Sequence, residues 1–295
     1  MTDNPEKGER IAKALARAGL CSRREAERWI EAGRVSVDGR VLTSPALAVT
    51  PASQITVDGK PLAAAEPVRL WRYHKPRGLV TTHRDPQGRP TVFEKLKQSF
   101  GAALPRVISI GRLDLNSEGL LLLTNDGDLA RALERPKTGW MRRYRVRVHG
   151  RVSEDALGGL AEGVTVAGIT YGPIEAKLES QKGSNAWVAV TIAEGKNREI
   201  RRVMEHLGLQ VTRLIRVSYG PVQLGTLGAG QVREVPRRIL LEQVGHLLPA
   251  LGPEKAAMKK AGAKKGWAKA KPKTRPSYKT KAKAKPKPKA RRTKP

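Results

Sequence analysis

Hydrophobic and polar positions near the N-terminus predict two short helices followed by a small sheet. Apolar residues recur at helical spacing from Ile11 onward and again over Ala26–Ile30. The segment Ser22-Arg-Arg-Glu25 precedes the second stretch and has the form of a capping box. Asp38-Gly39 and Asp58-Gly59 each follow a short run rich in β-branched residues, which is typical of a tight hairpin turn.

From Val68 to about Gln243, strand-like and helix-like patterns intermix. Strand patterns outnumber helical ones and do not alternate with them strictly, which favours an α+β fold with a mixed sheet over a doubly wound fold. The predicted strands cover residues 68–73, 106–110, 120–124, 144–148, 174–178, 187–192 and 211–217. The predicted helices cover residues 92–100, 127–133, 154–160 and 197–207.

These patterns divide the chain into four parts. Residues 8–61 are expected to form a small α/β domain, residues 62–67 a linker and residues 68–248 the mixed-sheet domain. Residues 253–295 consist mainly of Lys, Ala and Pro, and they hold too few large apolar side chains to offset the entropy cost of ordering. We therefore expect a disordered basic tail.

The distribution of charge points to the class of partner. The formal net charge is +30; residues 254–295 hold 18 Lys or Arg against one Glu, or +17, which leaves +13 on residues 1–253. A surplus of this size on a folded body indicates a polyanionic partner, because each cation near a phosphate releases condensed counterions. We expect nucleic acid, with solubility alone as the alternative for the body and for the tail.

Cysteine usage and hydropathy narrow the class of protein. Cys21 is the single cysteine, which leaves it no partner for an intramolecular disulfide and excludes a cysteine-rich metal site. Residues 1–10 are polar and charged, which argues against a secretory signal. The longest aliphatic run, Leu120–Leu123, is far shorter than the ~20 apolar residues that span a bilayer. We expect a cytoplasmic protein that needs no membrane, no metal and no cofactor.

The densest group of candidate catalytic residues lies between two predicted core strands. After the strand that ends at Ile110, a polar loop with two glycines contains Asp114 and Glu118. A carboxylate in such a loop is placed rigidly by the strands and stays open to a ligand. Either carboxylate could instead satisfy backbone N–H groups in a turn, and the spacing alone leaves both interpretations open.

A second informative segment, residues 194–208, predicts a helix with a basic face. Asn197 is the expected N-cap. Arg198 and Arg201 lie off the apolar stripe of this helix. They either belong to a solvated face, with an Arg201–Glu205 pair contributing ~0.3 kcal/mol, or are aimed at a carboxylate or a phosphate.

The Gly111–Ala130 segment resembles the catalytic motif of the RsuA/RluB branch of the rRNA pseudouridine synthases, which has the form G-R-L-D-x-x-(S/T)-x-G-L-L-L-x-T-x-D-G. Asn197–Leu207 and Leu214–Gly220 are similar to the C-terminal motif of that branch. His74–Gly78 and the Arg142–Val148 strand also fit it. These matches occur in the same order along the chain.

The N-terminal residues 9–60 are similar to the S4 RNA-binding domain that members of this branch carry, including Ser22-Arg-Arg-Glu-Ala26. In total the resemblance covers residues 9–245. It implies a small S4-like RNA-binding domain followed by a mixed-sheet pseudouridine synthase catalytic domain. It also implies that the arginines of the first part contact RNA. Those arginines are Arg17, Arg23, Arg24 and Arg28.

The resemblance also implies roles for residues of the catalytic part. Asp114 matches the essential aspartate that starts uridine isomerisation, and Arg201 matches the arginine that pairs with it. Tyr144 matches the tyrosine that stacks on the target base, and Ile200 matches an aliphatic residue beside that base. Arg112, Arg143 and Arg198 are expected to bind the substrate. Arg143 stands where many members have lysine, so a planar fork replaces a point charge.

The chemistry is consistent with this set of residues. Isomerisation breaks the N1–C1′ bond and reattaches uracil through C5, with no redox change and no outside group. One carboxylate can start this without a cofactor, either at C1′ or by taking a ribose proton. A neighbouring arginine favours the ionised carboxylate. An aromatic side chain under a flipped base supplies ~1–3 kcal/mol of stacking, which offsets part of the unstacking cost.

The resemblance leaves the choice of RNA open. The Leu115–Gly127 and Trp140–Tyr144 segments favour members that modify 23S rRNA, and 16S rRNA is the alternative. We expect a monomer that acts on free rRNA or on an assembling ribosomal subunit. Two other functions remain: a noncatalytic rRNA-binding or assembly protein, and a hydrolase in which Asp114 and Glu118 form a carboxylate pair.

Overall fold

The computed structural model describes residues 8–135 and 138–247. All of them belong to one unit of the chain, residues 1–253. The expected disordered tail, residues 253–295, lies outside the described residues. Among the described residues, no helix combines the length and apolarity needed to cross a membrane.

Helices and strands alternate irregularly along the described residues. The helices are α1 Ile11–Arg17, α2 Arg23–Glu31, α3 Val92–Phe100, α4 Gly127–Glu134, α5 Glu154–Gly158, α6 Glu199–His206 and α7 Arg237–Val244. The strands are β1 Glu9–Arg10, β2 Val35–Val37, β3 Arg40–Val41, β4 Ala48–Val49, β5 Ile55–Val57, β6 Lys60–Pro61, β7 Leu70–Lys75, β8 Ile108–Ile110, β9 Glu118–Thr124, β10 Arg142–His149, β11 Val164–Val166, β12 Ile169–Tyr171, β13 Ile174–Lys182, β14 Asn185–Ile192, β15 Gln210–Tyr219, β16 Val222–Gln223 and β17 Val232–Glu234.

Local signals determine the shape of the N-terminal part. The predicted capping box is present, because the Ser22 hydroxyl accepts from the Glu25 N–H at 3.2 Å and the Glu25 carboxylate accepts from the Ser22 N–H. Asp38 and Asp58 both have a φ of 50°, which the predicted hairpin turns require. The hairpins form a four-stranded sheet in the order β3-β2-β5-β6, and α1 and α2 share a hydrophobic core with it.

The larger sheet is mixed, which confirms the predicted α+β class. Within the described residues it has nine strands, with the main order β13-β14-β10-β15-β9-β7-β17. Strand β16 pairs with β15, and β8 pairs with β9. The pairings are antiparallel except that of β15 with β9, which is parallel and joins Ile215 to Glu118 and Arg216 to Gly119.

Strand β9 lies between β15 and β7 and accounts for the aliphatic run in the sequence. Its four leucines, Leu120–Leu123, are completely buried. Leu121 and Leu123 belong to one hydrophobic core, and Leu120 and Leu122 belong to a second core on the other face. A strand that is buried on both faces needs a continuous apolar run rather than alternation. The loop before β9 is therefore attached to the most deeply buried strand of the sheet.

Most predicted elements are present, with one local error at the start of α6. Helix α3 has the predicted bounds, Val92–Phe100. The prediction that Asn197 caps α6 is wrong, because Arg198 is the residue before that helix, with a φ of 52° and no side-chain cap. The short strands β11, β12 and β17 were not predicted, because they are too short to show a clear period. Helix α7 was not predicted either, although it is as long as α4 and α6.

The parallel pair leaves no room for a side chain at Gly119. Its φ is +101°, and a Cβ atom would lie 2.4 Å from the backbone oxygen of Arg216. We expect Gly119→Ala to lower the free energy of unfolding by about 3 kcal/mol, because backbone strain and a backbone clash add together. Chemical denaturation measures this loss. Gly158→Ala is the matched control and should stay within about 1 kcal/mol of wild type, since Gly158 has open space around it. An unchanged stability of Gly119→Ala would contradict this account of the parallel pair.

Candidate active site

Asp114 lies in the loop that connects β8 to β9, here called the catalytic loop, residues 111–117. Its side chain is 35% exposed. The loop is fixed by backbone contacts from the segment after β7. The Gly78 N–H donates to the carbonyl of Leu115 at 2.8 Å, and the Thr81 hydroxyl donates to the carbonyl of Leu113 at 2.8 Å. The carboxylate is thus partly open to solvent, on a loop that the segment after β7 holds in place.

Lys75, the last residue of β7, makes hydrogen bonds to the backbone of the catalytic loop. The side chain is completely buried. Its Nζ donates to the carbonyls of Asp114 at 3.1 Å, Ser117 at 2.8 Å and Pro76 at 3.0 Å. Burial lowers the pKa of Lys75 to about 8, although the charges of Asp114 and Glu118 oppose that shift. Lys75 therefore acts on the backbone of the loop rather than on a ligand.

Two arginines face the Asp114 carboxylate. The Nε of Arg201 lies 3.9 Å and the Nη1 of Arg198 lies 3.8 Å from its Oδ2. Arg201 is 7% exposed, and its Nη2 donates to the carbonyl of Asn116 at 2.9 Å. Its Nε has no hydrogen-bond partner among the described residues. The interpretation of Arg201 as part of a solvated face is therefore wrong, because its guanidinium is buried between α6 and the catalytic loop.

The electrostatics of this pair follow from burial and from the neighbouring charges. Burial lowers the pKa of Arg201, the positive charge of Arg198 lowers it further, and Asp114 opposes both. The ordinary pKa of a guanidinium is so high that Arg201 stays charged at neutral pH. Arg198 holds its place through a left-handed backbone conformation, with φ of 52°. Such strain is often found at functional sites.

Asp114 opens into a cleft of about 1810 Å³, here called the main cleft, which Tyr144, Ile200, Arg198 and Arg201 also line. Tyr144 is 8% exposed and Ile200 is 4% exposed, so they form apolar walls near the carboxylate. The structure thus brings together the sequence-predicted residues from the catalytic loop, β10 and α6.

Arg143 is not brought to this site. On β10 the side chains alternate, so that Tyr144, Val146 and Val148 are buried and Arg143 is exposed on the opposite face. Arg112, in contrast, lies in the catalytic loop and lines the main cleft. The expected grouping of Arg143 with the substrate-binding arginines therefore has no geometric support.

Helix α2 contributes to the same cleft. Arg23, Arg24 and Arg28 line it together with Asp114. Arg17 instead pairs with Glu9 and lines a smaller cavity of about 400 Å³ between α1 and α4, here called the side cavity. The N-terminal part is attached to α4 at this point, where the Nζ of Lys13 lies 2.7 Å from the carboxylate of Asp128.

Glu118 has a structural role. Its carboxylate accepts from the Nε of Arg213 at 2.7 Å and from the Nη2 at 3.1 Å. It is 8% exposed and does not line the main cleft. A bidentate ion pair on a strand removes Glu118 from consideration as the second carboxylate of a hydrolase.

A second basic wall of the cleft was not predicted from the sequence. The guanidinium groups of Arg142 and Arg216 lie 4.8 Å and 5.3 Å from the ring centroid of the buried Tyr219. The Tyr219 hydroxyl donates to the carbonyl of Leu133 at 2.9 Å. All three residues line the main cleft. Their spacing on β10 and β15 gave no signal, because only the register of the sheet brings the two strands together.

No group of three or more His, Cys, Asp or Glu residues within ranges 8–135 and 138–247 could hold a metal ion. The electrostatics of the cleft instead come from arginines. The half-buried Asp114 carboxylate, the two guanidinium groups that face it and the Tyr144 ring that lines the same cleft can bind a polyanion and present a nucleophile or a base to it.

The pKa of Lys75 gives a test of how the catalytic loop is held. The folded-state pKa is about 8 and the ordinary value is 10.5. Between these values the unfolded chain binds more protons, so stability should rise with pH by up to about 3 kcal/mol from this group. We expect the difference in unfolding free energy between wild type and Lys75→Met to show this rise between pH 8 and 10.5. A difference that stays flat over this range would mean that the three carbonyls keep the ammonium charged in the folded protein.

Comparison with protein families gives two matches on this chain. The family model described as RNA pseudouridylate synthase matches residues 69–206, and the S4 domain model matches residues 9–55. The first range includes Asp114, Tyr144 and Arg201. The second includes α1 and α2, whose arginines line the main cleft and the side cavity.

Curated relatives and a solved structure extend this result. An RNA pseudouridine synthase of Rickettsia prowazekii is 48% identical over 235 residues, which is 80% of this chain and 97% of the relative. The ribosomal large subunit pseudouridine synthase B of Salmonella typhimurium is 46% identical over 221 residues, 73% of this chain and 75% of that protein. A crystal structure of a pseudouridylate synthase covers 80% of this chain and 100% of its own, with 27% identity and a TM-score of 0.55. With Asp114 and the two arginines that face it on a cleft that α2 of the S4 domain also lines, this chain belongs to the RNA pseudouridine synthases that carry an S4 domain.

Proposed function

We propose that this enzyme isomerises one specific uridine of large-subunit (23S) rRNA to pseudouridine, with Asp114 starting the reaction. The observation that carries the proposal is the main cleft, where one carboxylate faces two arginines beside an aromatic wall and the arginines of α2. The relatives named for the large ribosomal subunit support the choice of RNA. The 16S rRNA is the alternative substrate.

Asp114 acts on a uridine that has been turned out of the RNA stack. It attacks C1′ or removes a ribose proton, and either step leads to cleavage of the N1–C1′ bond. The uracil then turns, and C5 bonds to C1′. The proton lost from C5 is matched by the proton gained at N1, so the product is an isomer and no cofactor is consumed.

The residues around Asp114 bind and orient the base. Arg201 is held by backbone carbonyls, so its charge stays in place near Asp114 and favours the ionised carboxylate. Tyr144 stacks on the flipped uracil, which supplies ~1–3 kcal/mol toward the cost of unstacking. Ile200 packs beside the base. Arg112 and Arg198 contact the neighbouring phosphates from the exposed side of the cleft.

The arginines of α2 position the rest of the RNA. Arg23, Arg24 and Arg28 line the main cleft, so an RNA bound at Asp114 meets them in the same groove. Recognition of folded RNA rests on shape and phosphate contacts, and the unpaired uridine enters the catalytic part. We propose that the monomeric enzyme works in the cytoplasm, on free rRNA or on an assembling subunit.

The decisive test maps pseudouridine in rRNA from cells that lack this protein and are complemented with wild type, Asp114→Asn or Asp155→Asn. Asp155 is an exposed residue in the first turn of α5 and serves as the matched control. We expect one 23S uridine to lose its modification, and wild type and Asp155→Asn to restore it. Restoration by Asp114→Asn would exclude Asp114 as the residue that starts the reaction. If the modification is lost from a uridine of 16S rRNA instead, then 16S rRNA is the substrate. If no pseudouridine is lost from either rRNA, a noncatalytic RNA-binding protein is favoured.

A comparison of Arg198 with Arg143 gives a second test. We expect Arg198→Gln to lower kcat/KM by about 100-fold, because it removes a charge 3.8 Å from the Asp114 carboxylate. Arg143→Gln is the control and should change kcat/KM by less than about threefold, since an exposed side chain on the far face meets only weak electrostatics. Single-turnover kinetics on an rRNA fragment measures both. Equal losses in the two variants would show that the far face of β10 also contributes to the reaction.

A further inference from the structure

The segment between β7 and α3 forms a closed loop beside the catalytic loop. Residues 81–90 make up this loop, here called the platform loop. Its ends are joined where the Val80 N–H donates to the Pro90 carbonyl at 3.0 Å and the Val92 N–H donates to the Val80 carbonyl at 2.9 Å. The Thr81 hydroxyl bonds the Leu113 backbone, next to Asp114. The platform loop is thus fixed relative to the reaction centre.

Internal contacts also stiffen the platform loop. The Asp85 carboxylate accepts from the Nη2 of Arg89 at 2.7 Å and from its Nε at 3.0 Å. These bonds lower the pKa of Asp85 to about 2. The Thr82 hydroxyl donates to the carbonyl of Arg84 at 2.9 Å. Side chains of the platform loop, including His83, are therefore presented on a defined backbone.

His83 is the aromatic residue of the platform loop. Its ring stacks on Phe93 of α3, with ring centroids 3.5 Å apart and planes inclined by 12°. Phe93 packs against the main hydrophobic core, which fixes one face of the pair. His83 itself is exposed and lines both the main cleft and the side cavity. The ring face that does not contact Phe93 is therefore the face available to a ligand.

The positively charged groups near His83 are of the kind that binds the phosphate of a nucleotide. Arg23 of α2 and Arg106 before β8 line the same two cavities as His83. Partial desolvation of the stacked ring and the charge of Arg106 lower the pKa of His83 to about 4, so the ring is neutral at physiological pH. A neutral flat ring in a cavity that two arginines also line can stack on a base, while the arginines provide charge for its phosphate.

We propose that His83 is a stacking platform for an unpaired nucleotide next to the target uridine, with Arg23 and Arg106 holding its phosphate. The proposal rests on the proposed function, and it adds a second base-binding position outside the Asp114 site. Base stacking is tolerant of sequence because every base has a π face. The His83 position thus senses whether the neighbouring nucleotide is unpaired, rather than which base it is.

The test uses an rRNA fragment that contains the target uridine, with 2-aminopurine at each of the two positions on either side of it. Full-length wild type, His83→Phe, His83→Ala and the control His149→Ala are compared; His149 is an exposed residue at the end of β10 that does not line the main cleft. Stacking quenches 2-aminopurine. We expect quenching at one position with wild type, His83→Phe and His149→Ala, and its loss with His83→Ala.

Binding and kinetics accompany the fluorescence. We expect His83→Ala to weaken RNA binding by about tenfold, with the single-turnover rate at saturating RNA unchanged, because one stack is lost outside the reaction centre. His83→Phe should bind like wild type. The proposal is overturned if His83→Ala quenches 2-aminopurine and binds the RNA fragment as wild type does. It is also overturned if His83→Phe loses as much quenching and RNA affinity as His83→Ala. Failure of wild type itself to isomerise the fragment would instead count against the proposed function, and the quenching would still report whether His83 stacks on RNA.

Discussion

The active site depends on the three hydrogen bonds that the buried ammonium of Lys75 makes with the backbone. Two of the accepting carbonyls belong to the catalytic loop, at Asp114 and Ser117. A buried charge is costly unless its hydrogen bonds are satisfied, and here three carbonyls satisfy the three N–H donors of the ammonium. The interaction connects the end of β7 to the loop before β9, so the position of Asp114 is fixed by the pairing of two buried strands. Arg201 adds a bond to Asn116 in the same loop.

Much of the fold could be predicted from the sequence because its strongest signals are local. The capping box at Ser22, the two hairpin turns and helix α3 are each encoded within a few residues, and all are present. The mixed sheet followed from the order of strand and helix patterns. Strand order and the parallel pairing of β15 with β9 could not be predicted, because they depend on contacts between residues far apart in the chain. Short edge strands such as β17 lack a period and gave no local signal.

The candidate site was partly predictable. Asp114, Tyr144 and Arg201 came from motif resemblance, and the structure places them on one cleft. Arg143 and Tyr144 are neighbours on a predicted strand, so simple alternation would have separated them onto opposite faces. The role of Lys75 could not be predicted from the sequence, because a lysine at the end of a strand is usually exposed and only the structure shows that this one is buried. His83 was hidden for a similar reason, since its stacking partner Phe93 belongs to the next helix.

The topology of the larger sheet also sets when the enzyme can become active during synthesis. Strand β17 completes one edge by pairing Val232 with Tyr73 of β7, and β15 pairs Ile215 with Glu118 of β9 across a shorter but still long gap in sequence. Contacts between such distant segments form slowly, because a long loop must close before they stabilise anything. A nascent chain that has emerged only as far as α6 already carries Asp114, Tyr144 and Arg201, but lacks β15, which pairs with both β9 and β10. The α2 arginines are therefore synthesised well before the strand that completes the sheet around the catalytic centre.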